Sequence, residues 1–194
     1  MRIVIGITGA SGAIYGIRAL QVLQKLEVET HLVITDAALE TIRLETDFKE
    51  SDVRHLATET HRPSDIASKI ASGSYPTDGM LVIPCSMKTL AGIASGYSDN
   101  LLLRAADVTI KERRRLVLVV RETPLSLIHI ENMATVTRAG AIVLPATPAF
   151  YQRPNTVAAL VDQVVGKALG ILGVEQHLSE RWNGPRTPRS RRRP

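Results

Sequence analysis

Cysteine is almost absent from this chain of 194 residues, since Cys85 is the only one. A single thiol excludes a disulfide framework and a cysteine-rich zinc site. Long apolar runs are missing too, because none approaches the roughly 18 residues that a membrane helix needs. The apolar start gives way at once to glycine and serine, which argues against a signal peptide. We therefore expect a cytoplasmic protein without a membrane segment.

Aromatic residues are scarce at 4%, which leaves little material for stacking on nucleic-acid bases. The net charge is +5, but six of the 24 basic residues lie in segment 181–194, which contains no acid. The rest of the chain is close to neutral, with 18 basic residues against 19 acidic ones. Positive charge confined to a Pro- and Arg-rich tail favours disorder over a nucleic-acid surface. We expect no binding of nucleic acid.

What is present is an alternation of short apolar runs with longer helical patterns. The runs predict strands at 2–7, 31–35, 79–84, 116–120 and 141–144. The helical spacing predicts helices at 13–26, 37–44, 126–140 and 155–172, and short helices at 51–57 and 64–71. We expect Asp36 to cap the second helix. Repeated βα units predict a three-layer α/β fold with an open parallel sheet, Rossmann-like or flavodoxin-like, in a single domain over 1–180.

Open parallel sheets bind ligands at the carboxyl ends of their strands, so residues just after a strand are the candidates. The sequence Gly-Ile-Thr-Gly-Ala-Ser-Gly at 6–12 follows the first strand and opens the first helix. Such a turn brings backbone N–H groups and a helix N-terminus to a phosphate, although a tight turn without a ligand has the same composition. The glycine spacing fits a mononucleotide better than a dinucleotide.

Three later strand ends carry polar residues as well. Residues 84–92 offer hydroxyls and a lysine, and we interpret Cys85 there as a small packing residue, not a nucleophile. Arg121 and Glu122 can hold an anion and manage a proton. In the loop 145–154, Tyr151 can donate its hydroxyl to a phosphate. None of the five histidines stands at a metal-ligand spacing from another histidine or from Cys85, so we expect no metal.

Taken together, these segments resemble the flavin prenyltransferase family of the UbiX type, formerly described as aromatic acid decarboxylases. The resemblance rests on motifs that occur in order along nearly the whole chain, at 6–12, 44–48, 84–90, 104–108, 111–114, 121–125, 148–151 and 181–184. It implies a metal-independent transferase that joins the dimethylallyl unit of dimethylallyl monophosphate to N5 and C6 of reduced FMN. The product, prenylated FMN, would pass to a UbiD-type decarboxylase. The resemblance also implies a homododecamer with sites at subunit contacts.

The resemblance assigns roles to individual residues. The residues implied to hold FMN are Gly9, Ala10, Ser11, Thr35, Ser86, Met87, Lys88, Thr89 and Arg121. The implied catalytic residues are Ser11, Glu45, Lys111, Glu122 and Trp182, and the implied substrate-binding residues are Tyr151 and Lys167. Lys167 departs from the family, which commonly has arginine there, and the lysine lacks the bidentate fork of a guanidinium.

Two other functions remain open on the sequence. A non-catalytic FMN-binding accessory subunit of a decarboxylase would account for Lys167 and for Thr35, which stands where the family usually has serine. A related flavin-dependent decarboxylase acting on a cysteine-containing substrate would share the fold, but such enzymes need a histidine near the flavin, and no loop motif above contains one.

Overall fold

The computed structural model describes residues 1–178 and residue 184. Among these residues, six parallel strands form one sheet in the order β3-β2-β1-β4-β5-β6. The strands are β1 Arg2–Ile7, β2 Glu29–Ile34, β3 Glu59–His61, β4 Gly79–Cys85, β5 Arg115–Val120 and β6 Ile142–Pro145. The helices are α1 Ala13–Lys25, α2 Asp36–Glu45, α3 Glu50–His55, α4 Met87–Ser95, α5 Leu101–Lys111, α6 Leu127–Arg138 and α7 Val157–Leu172. The parallel three-layer α/β fold predicted from the sequence is therefore confirmed.

Two apolar cores lie on opposite faces of this sheet. The central strands read as continuous apolar runs because both of their faces are covered, and β4 is buried at every position. On one face the sheet packs against α1, α2, α3 and α7. On the other it packs against α4, α5 and α6. Within the described residues, no helix combines the length and apolar character needed to cross a lipid bilayer.

Helices α4 and α5 were not among the predicted helices, and the other local differences concern polar segments. Strand β3 was missed because Glu59-Thr60-His61 has no apolar run, and the strand forms by pairing with β2 at the sheet edge. The short helix predicted at 64–71 is reduced to a 3-10 turn at Lys69–Ala71. Asp36 is the first residue of α2 and not its cap, because the Thr35 hydroxyl accepts the hydrogen bond from the backbone N–H of Ala38.

The direction of chain winding reverses between β1 and β4. The crossover from β1 leads to β2 on one side, whereas β4 pairs on the other side of β1 and continues to β5. Such a switch point opens a crevice at the carboxyl edge of the sheet. The N-termini of α1, α2 and α4, which follow β1, β2 and β4, all lie at this edge.

Candidate functional site

The turn after β1 is shaped by two glycines. A Cβ atom on Gly9 would lie 2.5 Å from the Cβ of Ala37, so this position allows no side chain without movement of α2. Gly12 is the N-cap of α1 with a φ of 102°, a left-handed conformation that favours glycine. Between the two glycines Ala10 is buried and Ser11 is exposed, which leaves the Ser11 hydroxyl on the open side of the turn.

Glu45 occupies the N-terminus of α1 in place of a side-chain cap. Its Oε2 accepts hydrogen bonds from the backbone N–H groups of Gly12 at 2.7 Å and Ala13 at 3.3 Å. Partial burial raises the pKa of the Glu45 carboxyl, but hydrogen bonds from Ser11, Gly12 and Ala13 and the charge of Arg121 outweigh it and lower the pKa overall. Glu45 is therefore an anion that joins the end of α2 to the start of α1.

The turn after β4 is tied directly to the end of β1. The Thr8 hydroxyl donates to the Pro84 carbonyl at 2.7 Å. The Thr8 hydroxyl oxygen also accepts a hydrogen bond from the backbone N–H of Ser86 at 2.8 Å. Ser86 caps α4 by accepting from the N–H of Thr89. In this turn Met87 and Thr89 are buried and Lys88 is exposed, so only the lysine reaches far into solvent.

Cys85 lies beneath this turn and is fully buried. Burial raises the pKa of its thiol to about 12, so the thiolate that a nucleophile needs is strongly disfavoured. The interpretation of Cys85 as a packing residue is consistent with this environment.

Strand β5 delivers Arg121 to the same edge. Its backbone N–H donates to the Cys85 carbonyl at 3.3 Å, which places the two strand ends side by side. The positive charge of the Arg121 guanidinium helps to lower the pKa of the Glu45 carboxyl. Burial raises the pKa of the Tyr15 phenol, and the Arg121 charge opposes that rise. The exposed Glu122 carboxylate follows directly and accepts from the backbone N–H of Thr123 at 3.1 Å.

The donor set at this edge fits a ligand with a phosphate. Three helix N-termini, the Ser11 and Ser86 hydroxyls and the Arg121 guanidinium all favour a negative group. The partly buried ring of Tyr15 adds an apolar surface next to the charges. A mononucleotide such as FMN combines a phosphate with a flat ring system, so the residues present are of the kind that would hold it.

A second cleft lies between the β6–α7 loop and α7, with a volume of about 580 Å³. Both Tyr151 and Lys167 line it, so the structure brings this predicted pair together. Gln163 lines it as well, and its buried Oε1 has no hydrogen-bond partner among the described residues. A buried acceptor without a partner is costly, so this oxygen favours a ligand or water with a donor in the cleft. None of the lining residues belongs to the turns after β1, β4 or β5.

Within its own chain, Lys111 does not lie at the carboxyl edge of the sheet. It ends α5, immediately before β5, and pairs with Glu112. Because β5 rises about 3.3 Å per residue over its six residues, its first residue lies roughly 20 Å from Arg121. Lys111 precedes that first residue and therefore lies at the opposite edge of the sheet. Trp182 lies outside the described residues, as does the tail beyond 184.

Three features of the structure were missed on the sequence. Tyr15 sits in α1 with apolar neighbours, so its helical spacing gave no sign that it faces Arg121. Gln163 is the one uncharged polar residue in the otherwise apolar or charged helix α7, and that contrast could have drawn attention to it. His31 and His61 are 30 residues apart in sequence, yet their ring nitrogens approach to 3.0 Å. Only the pairing of β2 with the unpredicted β3 brings these two histidines together.

Comparison with known proteins relates most of the chain to flavoproteins. The Flavoprotein family model matches residues 1–171. Flavin prenyltransferase PAD1, mitochondrial, from Saccharomyces cerevisiae is 52% identical over 94% of this chain and 76% of its own length. The crystal structure of AnUbiX (PadA1) with FMN and dimethylallyl pyrophosphate is 53% identical, covers 95% of this chain and 98% of its own, and superposes with a TM-score of 0.94. A dodecameric FMN-dependent Ubix-like decarboxylase from Escherichia coli O157:H7 is 52% identical, with 95% and 100% coverage and a TM-score of 0.93.

Proposed function

Because this chain belongs to the UbiX-type flavin prenyltransferase family, we propose that it prenylates reduced FMN. The allylic C–O bond of dimethylallyl monophosphate breaks as phosphate leaves, and its carbon replaces the N5 proton of the reduced flavin. The bond to C6 uses the double bond of the dimethylallyl unit, which takes up a proton while C6 loses one. The prenylated FMN serves a UbiD-type decarboxylase. Reduced FMN supplies the nucleophilic ring atoms, and the residues of this chain bind the two substrates, exclude water and handle charge and protons.

The observation that carries this proposal is the joining of three strand ends at one edge. Thr8 links the end of β1 to Ser86, the Arg121 N–H links β5 to Cys85, and the Arg121 charge reaches Glu45. Three turns that match family motifs, those after β1, β4 and β5, therefore lie side by side. In our proposal the Gly9–Ser11 turn, Thr35, the Ser86–Thr89 segment and Arg121 hold FMN there.

The prenyl phosphate would be held by cations and hydroxyls without a metal. Lys167 and Tyr151 face one cleft, where the ammonium and the phenol can stabilise the departing phosphate. Lys keeps the charge of the arginine common in the family but offers a single point of contact. The exposed Glu122 carboxylate, next to Arg121, is the proposed proton-transfer group at the flavin.

The distribution of these groups over one chain supports an oligomeric enzyme. Lys111 lies at the edge opposite Arg121, and the Tyr151–Lys167 cleft is separate from the proposed flavin turns. We propose that neighbouring copies contribute these groups to shared sites. The start of α6 also exposes Leu127 and Ile128 by about two thirds, as expected for a subunit contact. We propose a homododecamer, the assembly named for the Escherichia coli O157:H7 structure.

The decisive experiment is incubation of the purified protein with FMN, a reductant and dimethylallyl monophosphate under anaerobic conditions. Mass spectrometry should show a flavin heavier by one prenyl unit, and the product should activate an apo UbiD-type decarboxylase. Bound FMN without a mass gain would instead support the accessory-subunit alternative, which Lys167 and Thr35 motivate. That alternative also requires stable co-purification with the decarboxylase.

The cytoplasm is our proposed compartment, supported by a single cysteine that is buried as a thiol. The yeast relative is named as mitochondrial. Fractionation of cells that produce the chain with its natural termini tests this point, and recovery in an organelle or envelope fraction would contradict it.

A further inference from the structure

Three metal-ligand side chains meet where β3 pairs with β2, on the face of the sheet away from α1. His31 stands opposite Glu59 in the strand register, and His61 stands opposite Val33. His31 Nδ1 lies 3.0 Å from His61 Nε2 and 3.8 Å from Glu59 Oε2. His61 Nε2 lies 3.7 Å from Glu59 Oε1.

We propose that His31, Glu59 and His61 form a binding site for a divalent transition metal of the zinc class. A zinc ion with bonds of about 2.0–2.1 Å in tetrahedral geometry separates its ligand atoms by roughly 3.3 Å. The two nitrogens are 3.0 Å apart, and each lies within 3.8 Å of one of the two Glu59 oxygens, close to that value. One ligand atom from each of the three residues lies within 4.8 Å of the other two, so rotation of the partly exposed Glu59 carboxylate would let all three reach one ion.

The outer nitrogens of both imidazoles are already oriented by partners. His31 Nε2 lies 3.1 Å from Glu29 Oε1 and 3.1 Å from the Tyr75 hydroxyl. His61 Nδ1 lies 2.9 Å from Ser68 Oγ. A metal-binding histidine typically donates its second N–H to a carboxylate or another oxygen, which fixes its tautomer. The remaining nitrogens of the two imidazoles, His31 Nδ1 and His61 Nε2, therefore face each other.

The ligand chemistry and the burial indicate which ion would bind. Two imidazoles and one carboxylate suit zinc or cobalt, not magnesium or calcium, which prefer oxygen ligands. The His31 side chain is fully buried, but that of Glu59 is 42% exposed. A fourth position on the Glu59 side can hold water.

Lys69 is the competitor of the metal. Its Nζ lies 2.5 Å from Glu59 Oε2 and compensates the carboxylate in the metal-free state. The lysine side chain is 42% exposed, so its long stem can swing into water when an ion arrives. Replacement of Lys69 by a neutral residue should therefore strengthen metal binding, an outcome that a purely structural role of the histidines does not predict.

A bound ion would stabilise the pairing of the short edge strand β3 with β2. Strand β3 has three residues, pairs on one side only and contributes one histidine and one glutamate to the site. Because His31 lies in the middle of β2, pairing with Val4 and not with the last residues of β1, the site is apart from the flavin edge. The expected effect is stabilisation of the native fold, since an ion that binds only the folded chain shifts unfolding by mass action.

The test uses full-length protein treated with a chelator, then titrated with Co²⁺ and Zn²⁺. We expect one Co²⁺ per chain with the visible absorption of a four-coordinate nitrogen and oxygen site, displaced by Zn²⁺, and a higher Tm in Zn²⁺. His61→Gln and Glu59→Gln should abolish this spectrum, and Lys69→Gln should lower the Kd several-fold. The matched control is His55→Gln, on an exposed histidine outside the cluster, which should leave the titration unchanged.

The proposal is overturned if the unaltered protein binds no more Co²⁺ than the Glu59→Gln variant, or if His55→Gln removes the signal equally. The three residues then serve as a metal-free hydrogen-bonded network. Glu59 is partly exposed, so its variant keeps the test decisive even if His61→Gln does not fold. Far-UV circular dichroism checks the fold of each variant.

Discussion

Glu122 and Lys167 carry opposite charges and lie on different parts of the chain. Glu122 follows Arg121 at the carboxyl end of β5, where we propose that the flavin binds, and Lys167 lines the cleft with Tyr151. Their replacements should therefore affect different steps of the proposed reaction. Replacement of Glu122 should affect proton transfer, and replacement of Lys167 should affect the binding of the prenyl phosphate.

Glu122→Gln keeps the shape of the side chain and removes its charge and proton-transfer capacity. Prenylation should fall by roughly 10²–10⁴-fold, the range for loss of a positioned acid or base. FMN binding should persist because the proposed contacts come from other residues, namely the Gly9–Ser11 turn, the Ser86–Thr89 segment and Arg121. Flavin absorbance after purification and product formation measure the two quantities. Glu131→Gln, on exposed α6, is the control and should change neither. Loss of FMN in the Glu122 variant would show that its role is structural.

Lys167→Ala should weaken the binding of dimethylallyl monophosphate and leave FMN binding intact. Lys167→Arg restores a bidentate fork and should preserve or improve activity. Initial rates over a range of prenyl phosphate concentrations separate KM from kcat. The exposed Lys25, at the end of α1, provides a control in Lys25→Ala. An unchanged KM in Lys167→Ala would remove this residue from the phosphate site.

At the scale of elements, the N-terminus of α1 depends on a carboxylate from another helix. Glu45, the last residue of α2, accepts from Gly12 and Ala13 at the start of α1, where the helix has no side-chain cap. The negative charge also complements the positive end of the helix dipole. Two consecutive βα units are thus joined by one side chain.

Glu45→Gln should lower the free energy of unfolding near neutral pH, and the difference should disappear in acid. The pKa of Glu45 is lowered in the folded chain, so its stabilisation is present above the ordinary glutamate pKa and is lost as the pH falls through the lowered value. Urea unfolding at several pH values measures this. Glu40→Gln on the same helix is the control, because the pair Glu40–Arg43 is exposed and worth little. A difference that persists in acid would exclude the charge as its cause.

At the scale of the whole molecule, one complete site requires more than one chain in our proposal. Lys111 and the Tyr151–Lys167 cleft are the parts to be contributed by neighbouring copies. Sites of this kind can be rebuilt from two defective chains if each supplies what the other lacks.

At a low concentration of dimethylallyl monophosphate, Lys111→Ala and Lys167→Ala should each lose most of their activity, and mixed oligomers of the two should recover part of it if the two residues of one site come from different chains. Some sites in the mixture then combine an intact Lys111 with an intact cleft. The variants are co-expressed with different tags, and oligomers that carry both tags are assayed for prenylation. The control is Lys167→Ala with Tyr151→Phe, because both changes affect the same cleft and should give no recovery. Absence of recovery in the first mixture would contradict shared sites.

The sequence could predict most of the scaffold, because each central strand is an uninterrupted apolar run between polar turns. Parallel strands with both faces covered must be apolar on both faces, so β1, β4 and β5 can be recognised from their sequences. Strand β3 could not be predicted in this way. Its residues are polar, and it exists because its backbone completes the hydrogen bonding of β2 at the edge.

The sequence predicted one part of the candidate site, and only the structure revealed the other part. The glycine turn, the Ser86 cap and Arg121 follow strand ends directly, so the sequence by itself placed them at one edge and indicated a phosphate ligand. Only the tertiary structure decided that Lys111 lies across the sheet, that Gln163 joins Tyr151 and Lys167, and that His31 meets His61 and Glu59. The physical reason is that local pattern fixes the element and its end, whereas contacts between distant segments depend on strand order and helix packing, which no short stretch of residues contains.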